Sequence, residues 1–154
     1  MYNLENKICS FNVNEYHLVT ILMPYIYEKS DEEKKIITFF ERDLKDIYEK
    51  VLNTNSLFWK NREVFDKIDW KKIESQKLAE KFNGVKDKDI VIIAGTQVFV
   101  ERINRLALNF HINFTLVNCF ELENLDNKLE EITKNYGKIL CTKGIKEIKE
   151  FYLV

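Results

Sequence analysis

The chain is poor in the residues that interrupt or staple a fold. One proline and four glycines among 154 residues exclude a collagenous, linker-like or disordered polymer. Cysteine is scarce and odd in number: Cys9, Cys119 and Cys141 stand far apart and form no C-x-x-C pair. Neither a zinc knuckle nor a redox couple can be built from them. Each lies in an apolar run and reads as a buried, reduced thiol. Charge of one sign is also missing. The 24 Lys+Arg and 25 Asp+Glu leave a net charge of -1, so no global positive field exists to recruit nucleic-acid phosphates. Apolar runs such as Ile36–Phe40 and Ile90–Ala94 fall far short of the roughly 20 residues that span a bilayer. Met1–Lys7 shows no charged leader followed by an apolar stretch, so the expectation is a cytoplasmic protein with no membrane association.

What the chain does have is 45% hydrophobic residues, enough for one domain over 1–154 that buries about 70% of its unfolded surface. The apolar period switches repeatedly. Short β-branched or aromatic runs at Ile8–Val13, Ile36–Phe40, Leu57–Trp59, Ile90–Ala94, Phe114–Cys119 and Ile139–Thr142 read as strands covered on both faces. Between them lie helical stripes: Tyr16, Val19, Met23, Ile26 and Tyr27, capped by Asn14, and then Leu44, Ile47, Tyr48, Val51 and Leu52, begun by Asp43. Weaker stripes follow at Ile73–Phe82, Phe99–Phe110 and Leu125–Ile132. Pro24 should kink the first helix. Lys60–Lys72 is irregular and carries Phe65 and Trp70 among charges; it reads as a mobile flap over the sheet edge. The charge runs Asp31–Lys35 and Lys143–Glu150 read as solvated loops or helix faces.

Strand–helix alternation of this kind predicts an α/β fold: three layers, a mainly parallel sheet with helices on both faces, Rossmann- or RecA-like. Ligands of such sheets bind at the carboxyl ends of the strands. The residues there are polar and mixed in charge. Asn12, Asn14 and Glu15 follow the first strand, and Glu41 and Arg42 the second. Gly95 and Thr96, Glu121 and Glu123, and Thr142 follow later ones. No P-loop is present, because Phe11-Asn12-Val13-Asn14-Glu15 contains no glycine, and G-x-G-x-x-G is absent too. His17 and His111 are not spaced to join a carboxylate as H-E-x-x-H would be, and no G-x-S-x-G occurs. No cofactor or metal is expected. Phe58, Trp59, Phe65 and Trp70 suit core packing, an apolar ligand pocket or a partner surface.

The order of features resembles the MEDS (methanogen and methylotroph sensory) domain family. Ile8-Cys9-Ser10-Phe11 is similar to that family's first strand, His17-Leu18 through Leu22-Met23-Pro24-Tyr25-Ile26 to its proline-containing first helix, and Lys35–Phe40 to its second strand. Phe114–Glu121, a helix from Leu125, Lys138–Cys141 and Phe151-Tyr152 resemble its final unit. The resemblance implies a RecA-like fold with a decayed phosphate loop and a signal-input role rather than catalysis. Because the pattern runs across the whole sequence, output is expected to pass to a separate partner signalling protein. The expected ligand contacts are Asn12, Asn14, Glu41, Arg42, Trp59, Gly95, Thr96 and Thr142, with Lys60–Trp70 as the moving element. Two rivals stand beside this reading. One is a nucleotide binder or enzyme with a non-P-loop site; the other is a structural protein whose exposed aromatics make a homodimer.

Overall fold

A computed structural model describes residues 6–30, 34–107 and 113–152. His111 and Phe110, residues 31–33 of the first charge run and residues 1–5 lie outside them. The architecture is α/β with a six-stranded, mostly parallel sheet. In chain order the elements are β1 (Lys7–Asn12), α1 (Glu15–Lys29), β2 (Ile36–Phe40), α2 (Lys45–Thr54), α3 (Ser56–Lys60), α4 (Arg62–Asp66) and α5 (Leu78–Asn83). There follow β3 (Ile90–Gly95), α6 (Gln97–Ala107), β4 (Thr115–Glu121), α7 (Leu129–Thr133), β5 (Lys138–Cys141), β6 (Gly144–Glu147) and α8 (Ile148–Tyr152). The strand order is β2-β3-β4-β1-β5-β6. All neighbours pair in parallel except β5 and β6, which form an antiparallel hairpin.

The period-2 alternation of each strand sorts its side chains into two hydrophobic clusters. Ile8, Phe40, Ile90, Ile92, Ala94, Val117 and Cys119 join α1, α2 and the α3–α4 region in one. Cys9, Phe39, Val91, Ile93, Leu116 and Phe120 join Phe82 of α5, Phe99 and Ile103 of α6 and Ile132 of α7 in the other. Every residue of β3 is buried, which is why Ile90–Ala94 reads as a continuous apolar run. Each of its isoleucines contributes about 1.5–3 kcal/mol by leaving water.

The connection from β2 to β3 serves both clusters. Ile68 and Trp70 pack in the first, and Ile73 and Leu78 pack against the second. Between them the chain rounds the free edge of β2, where Lys72 bridges to Phe40 in parallel and the Ile73 N–H donates to the Phe40 carbonyl at 2.9 Å. Leu44 N–H donates to the Trp70 carbonyl at 2.8 Å. The Trp70 indole stacks on Tyr48 with centroids 4.6 Å apart, and its N–H donates to the Phe65 carbonyl at 3.0 Å. An edge strand is thereby covered rather than left to pair with another chain.

Four expectations are corrected here. Leu57–Trp59 is not a strand but most of α3. The Asn55 side chain accepts the Phe58 N–H and starts a helical turn, and three apolar residues cannot distinguish the two periods. Lys60–Lys72 is not a flap: Phe65 is fully buried and Trp70 is 2% exposed. Its charges face water while its two large aromatics belong to the core. Lys143–Glu150 is only in part a solvated helix face: Lys149 and Glu150 are exposed on α8, but Gly144–Glu147 is strand β6, because the turn at Gly144, with φ of +103°, folds the chain back onto β5. Asp43 does not cap α2. The N-cap is Leu44, and Asp43 accepts the Lys45 N–H two residues on. Helix α1 runs through Pro24 as one element. Asn14 does cap it, accepting the His17 N–H at 2.8 Å.

Candidate functional site

Two residues, Val13 and Asn14, join β1 to α1. This tight turn is held from both ends. Asn14 Oδ1 takes the His17 N–H, and His17 Nδ1 accepts the Val13 N–H at 3.0 Å. His17 is therefore a turn fastener. Glu15 supplies the negative charge that the first turn of α1 favours, so the helix end that would cradle a phosphate in a P-loop is already served.

Beside this turn, at the carboxyl ends of β1 to β4, lies a cavity of about 420 Å³, within the roughly 300–1,000 Å³ of small-molecule sites. Its floor is apolar: Leu18 of α1, Phe40, Ala94, and Leu44 and Ile47 from the start of α2. Its rim is polar and comes from four loops: Asn12 to Tyr16, Arg42, Gly95, and Glu121, Glu123 and Asn124. The site sits where β1 sends its helix to one cluster and its neighbour β4 sends α7 to the other, the switch point at which open α/β sheets hold ligands.

Arg42 does not project a free fork into this space. Its Nε and Nη2 donate to Glu121 Oε2 and Oε1 at 2.6 and 2.9 Å, and Asn124 Nδ2 donates to Glu121 Oε1 at 2.8 Å. The Arg42–Glu15 pair is looser, at 3.9 Å. The hydrogen bonds from Arg42 hold the Glu121 carboxyl below its usual range, and the same bonds raise the Arg42 guanidinium further. The cavity lining thus carries three carboxylates and one guanidinium, and the guanidinium is engaged.

Glu41 stands behind the rim. Its Oε1 accepts the Thr96 N–H at 2.8 Å, and Thr96 Oγ1 accepts the Phe99 N–H at the start of α6. Gly95 permits this arrangement. A Cβ there would lie 2.7 Å from both Cβ and Oε1 of Glu41 and 2.9 Å from the Phe99 ring. Asn12 is the most telling residue. It is 3% exposed, on the same face of β1 as Ile8 and Ser10. Its Nδ2 donates to the Asn14 carbonyl at 3.3 Å, but its Oδ1 has no hydrogen-bond partner among the described residues. A buried acceptor left in that state costs about 1–3 kcal/mol.

Of the eight residues expected at the rim, Asn12, Asn14, Arg42 and Gly95 line the cavity together, with Glu41 and Thr96 bracing it from behind. The other two lie elsewhere. Trp59 is on α3, beyond the far end of α1, where its neighbour Phe58 meets Tyr27; it is 47% exposed with the Arg62 guanidinium 4.8 Å over its ring. A strand over Leu57–Trp59 would have brought Trp59 to the rim; helix α3 does not. Thr142 is at the turn from β5 to β6, on the other side of β1 from β4. Tyr16 and Asn124 belong to the wall and were missed, while Glu15, Glu121 and Glu123 carry a signal in the sequence as residues that follow strands.

A second recess of about 410 Å³ lies between α6 and α7. There Gln97 donates to Glu101 and Asn127 and accepts the Asp126 and Asn127 N–H groups, while the buried Oδ1 of Asn104 has no hydrogen-bond partner among the described residues. Among the described residues no group of three or more His, Cys, Asp or Glu could hold a metal ion, and no helix is long and apolar enough to cross a membrane. No protein-family model, no curated protein and no solved structure matches the chain.

Proposed function

We propose that the chain is a non-catalytic sensory or regulatory domain that binds a small molecule at the carboxyl ends of its sheet and passes the occupancy to a partner protein. In this reading the fold is a three-layer, doubly wound one of the kind that the MEDS resemblance implies. The division of strand side chains between two clusters supports it. The observation that carries the function is Asn12, a buried residue lining a ligand-sized cavity at the switch point, whose Oδ1 has no hydrogen-bond partner among the described residues. A donor from a ligand would satisfy it. Readout at the same face is supported by Val13, Tyr16, Val98 and Leu122, exposed apolar residues where the chain leaves the strand ends. The relay element is the β1–α1 turn and the segment after β4 rather than Lys60–Trp70, which Phe65, Ile68 and Trp70 anchor in the core.

The test is a native mass spectrum of the purified protein, followed by amide chemical-shift mapping against a metabolite library. Saturable shifts at Asn12, Gly95 and Asn124 support the proposal. Shifts that map elsewhere, or none from any member, overturn it. ATP turnover abolished by Glu41→Gln would favour the enzymatic rival.

A further inference from the structure

Resting on that reading of the site, we propose that the cavity selects a small molecule bearing an amine on an apolar body, bound as the ammonium, and rejects carboxylates and phosphates. Two independent features point the same way. The charged groups facing the space are Glu15, Glu121, Glu123 and Arg42, and the guanidinium is held by Glu121 in a two-bond fork. An entering anion meets a guanidinium whose charge Glu121 already offsets, and it then faces the remaining carboxylates. An ammonium meets attraction from the same groups and disturbs no existing bond. The second feature is Asn12 Oδ1, more than nine-tenths buried and unpartnered. It is an acceptor, so it selects an N–H or O–H donor and gives nothing to a phosphate oxygen. An ammonium carries three donors and no acceptor, which matches one amide oxygen and flanking carboxylates. The floor of Leu18, Phe40, Leu44 and Ile47 takes the body of the molecule.

The helix end next to the cavity does not reverse this preference, because Asn14 takes the His17 N–H and Glu15 places a negative charge in the first turn. Nor does the site discriminate by shape alone. A neutral alcohol of the same skeleton can satisfy Asn12 but gains nothing from the carboxylates, so it ranks between amine and acid.

The experiment is calorimetric titration with one skeleton in three states, 4-phenylbutylamine, 4-phenylbutan-1-ol and 4-phenylbutyrate, plus inorganic phosphate, each repeated with amide shift mapping. The amine is expected to bind saturably and at least about tenfold tighter than the butyrate, since like-charge juxtaposition is strongly penalised. Glu123→Gln, at an exposed position that leaves folding intact, is expected to weaken the amine about two- to fivefold and leave the alcohol unchanged. Butyrate or phosphate binding as tightly as the amine, with shifts at Gly95 and Asn124, overturns the amine preference while the ligand site itself stands. If none of the four probes shifts those residues but a metabolite of another class does, the preference falls alone. If no compound of any class does, both fall.

Discussion

Gly95→Ala tests whether the rim is as tightly braced as its geometry states. The added Cβ would lie 2.7 Å from Glu41 Cβ and Oε1 and 2.9 Å from Phe99 Cδ2. The carboxylate end of Glu41 can swing away, but its Cβ cannot, because the Glu41 N–H is tied to the Ala94 carbonyl at 3.0 Å. Relief therefore requires β2 and β3 to part at their carboxyl ends. Overpacking of this sort costs about 1–3 kcal/mol. Displacing Glu41 from the Thr96 N–H loses a charge-assisted hydrogen bond worth about 1.5–3 kcal/mol. The two losses share one movement and do not add fully, so about 2–4 kcal/mol is expected. For a chain of this size that lowers Tm by about 5–15 °C. Thermal melts by circular dichroism with urea midpoints measure it. Adding Glu41→Gly to Gly95→Ala removes the rigid contact and should recover the packing part but not the hydrogen bond. A single Gly95→Ala variant melting within about 2 °C of wild type would refute the reasoning.

The two tryptophans should separate sharply. Trp70→Ala empties a core position and is expected to cost about 3–5 kcal/mol, whereas Trp59→Ala on exposed α3 should stay within about 0.5 kcal/mol; urea denaturation compares them. The acid limb of the stability curve should contain Glu121. Arg42 holds its folded-state pKa below the unfolded value, so its contribution is full above the unfolded value near ~4.3 and is lost as pH falls through the folded one. Glu121→Gln should flatten that limb by less than about 1 kcal/mol, since Arg42 is 46% exposed; a gap in urea midpoint between wild type and variant that stays the same from neutral to acid pH would contradict this. Burial pushes the Cys9 thiol up to about 12 and raises Cys119 as well. A native thiol titration should therefore label Cys141 first among the three, and fast labelling of Cys119 would show that β4 is not covered on both faces.

Where one physical signal dominated, the sequence was readable. Continuous β-branched and aromatic runs located β2 and β3 to within a residue, because strands covered on both faces carry few polar positions to blur them. Asn14 announced the start of α1, because a side-chain oxygen at that position has one strong use. The reading failed where two periods share a short run, as at Leu57–Trp59. It failed again where charges flank a buried aromatic, as at Trp70, whose burial depends on Tyr48 and Phe40 from distant segments. For the site, the sequence shows polar residues of mixed charge at the strand ends, but not how they pair. An arginine at a strand end suits an anion by its own chemistry. Only the strand order, which sets β4 beside β3 and β1, brings Glu121 within 2.6 Å and offsets that charge.

The brevity of the β1–α1 junction has a consequence for what this scaffold could become. Two residues span it, whereas a triphosphate-gripping loop there needs about six before its lysine. No substitution at Val13 or Asn14, glycine included, can supply the missing length. Acquiring a P-loop would take an insertion that also unseats the Asn14 and His17 fastenings. The domain is thus insulated from that one device by chain length, while the recess beside the turn remains open to retuning one side chain at a time.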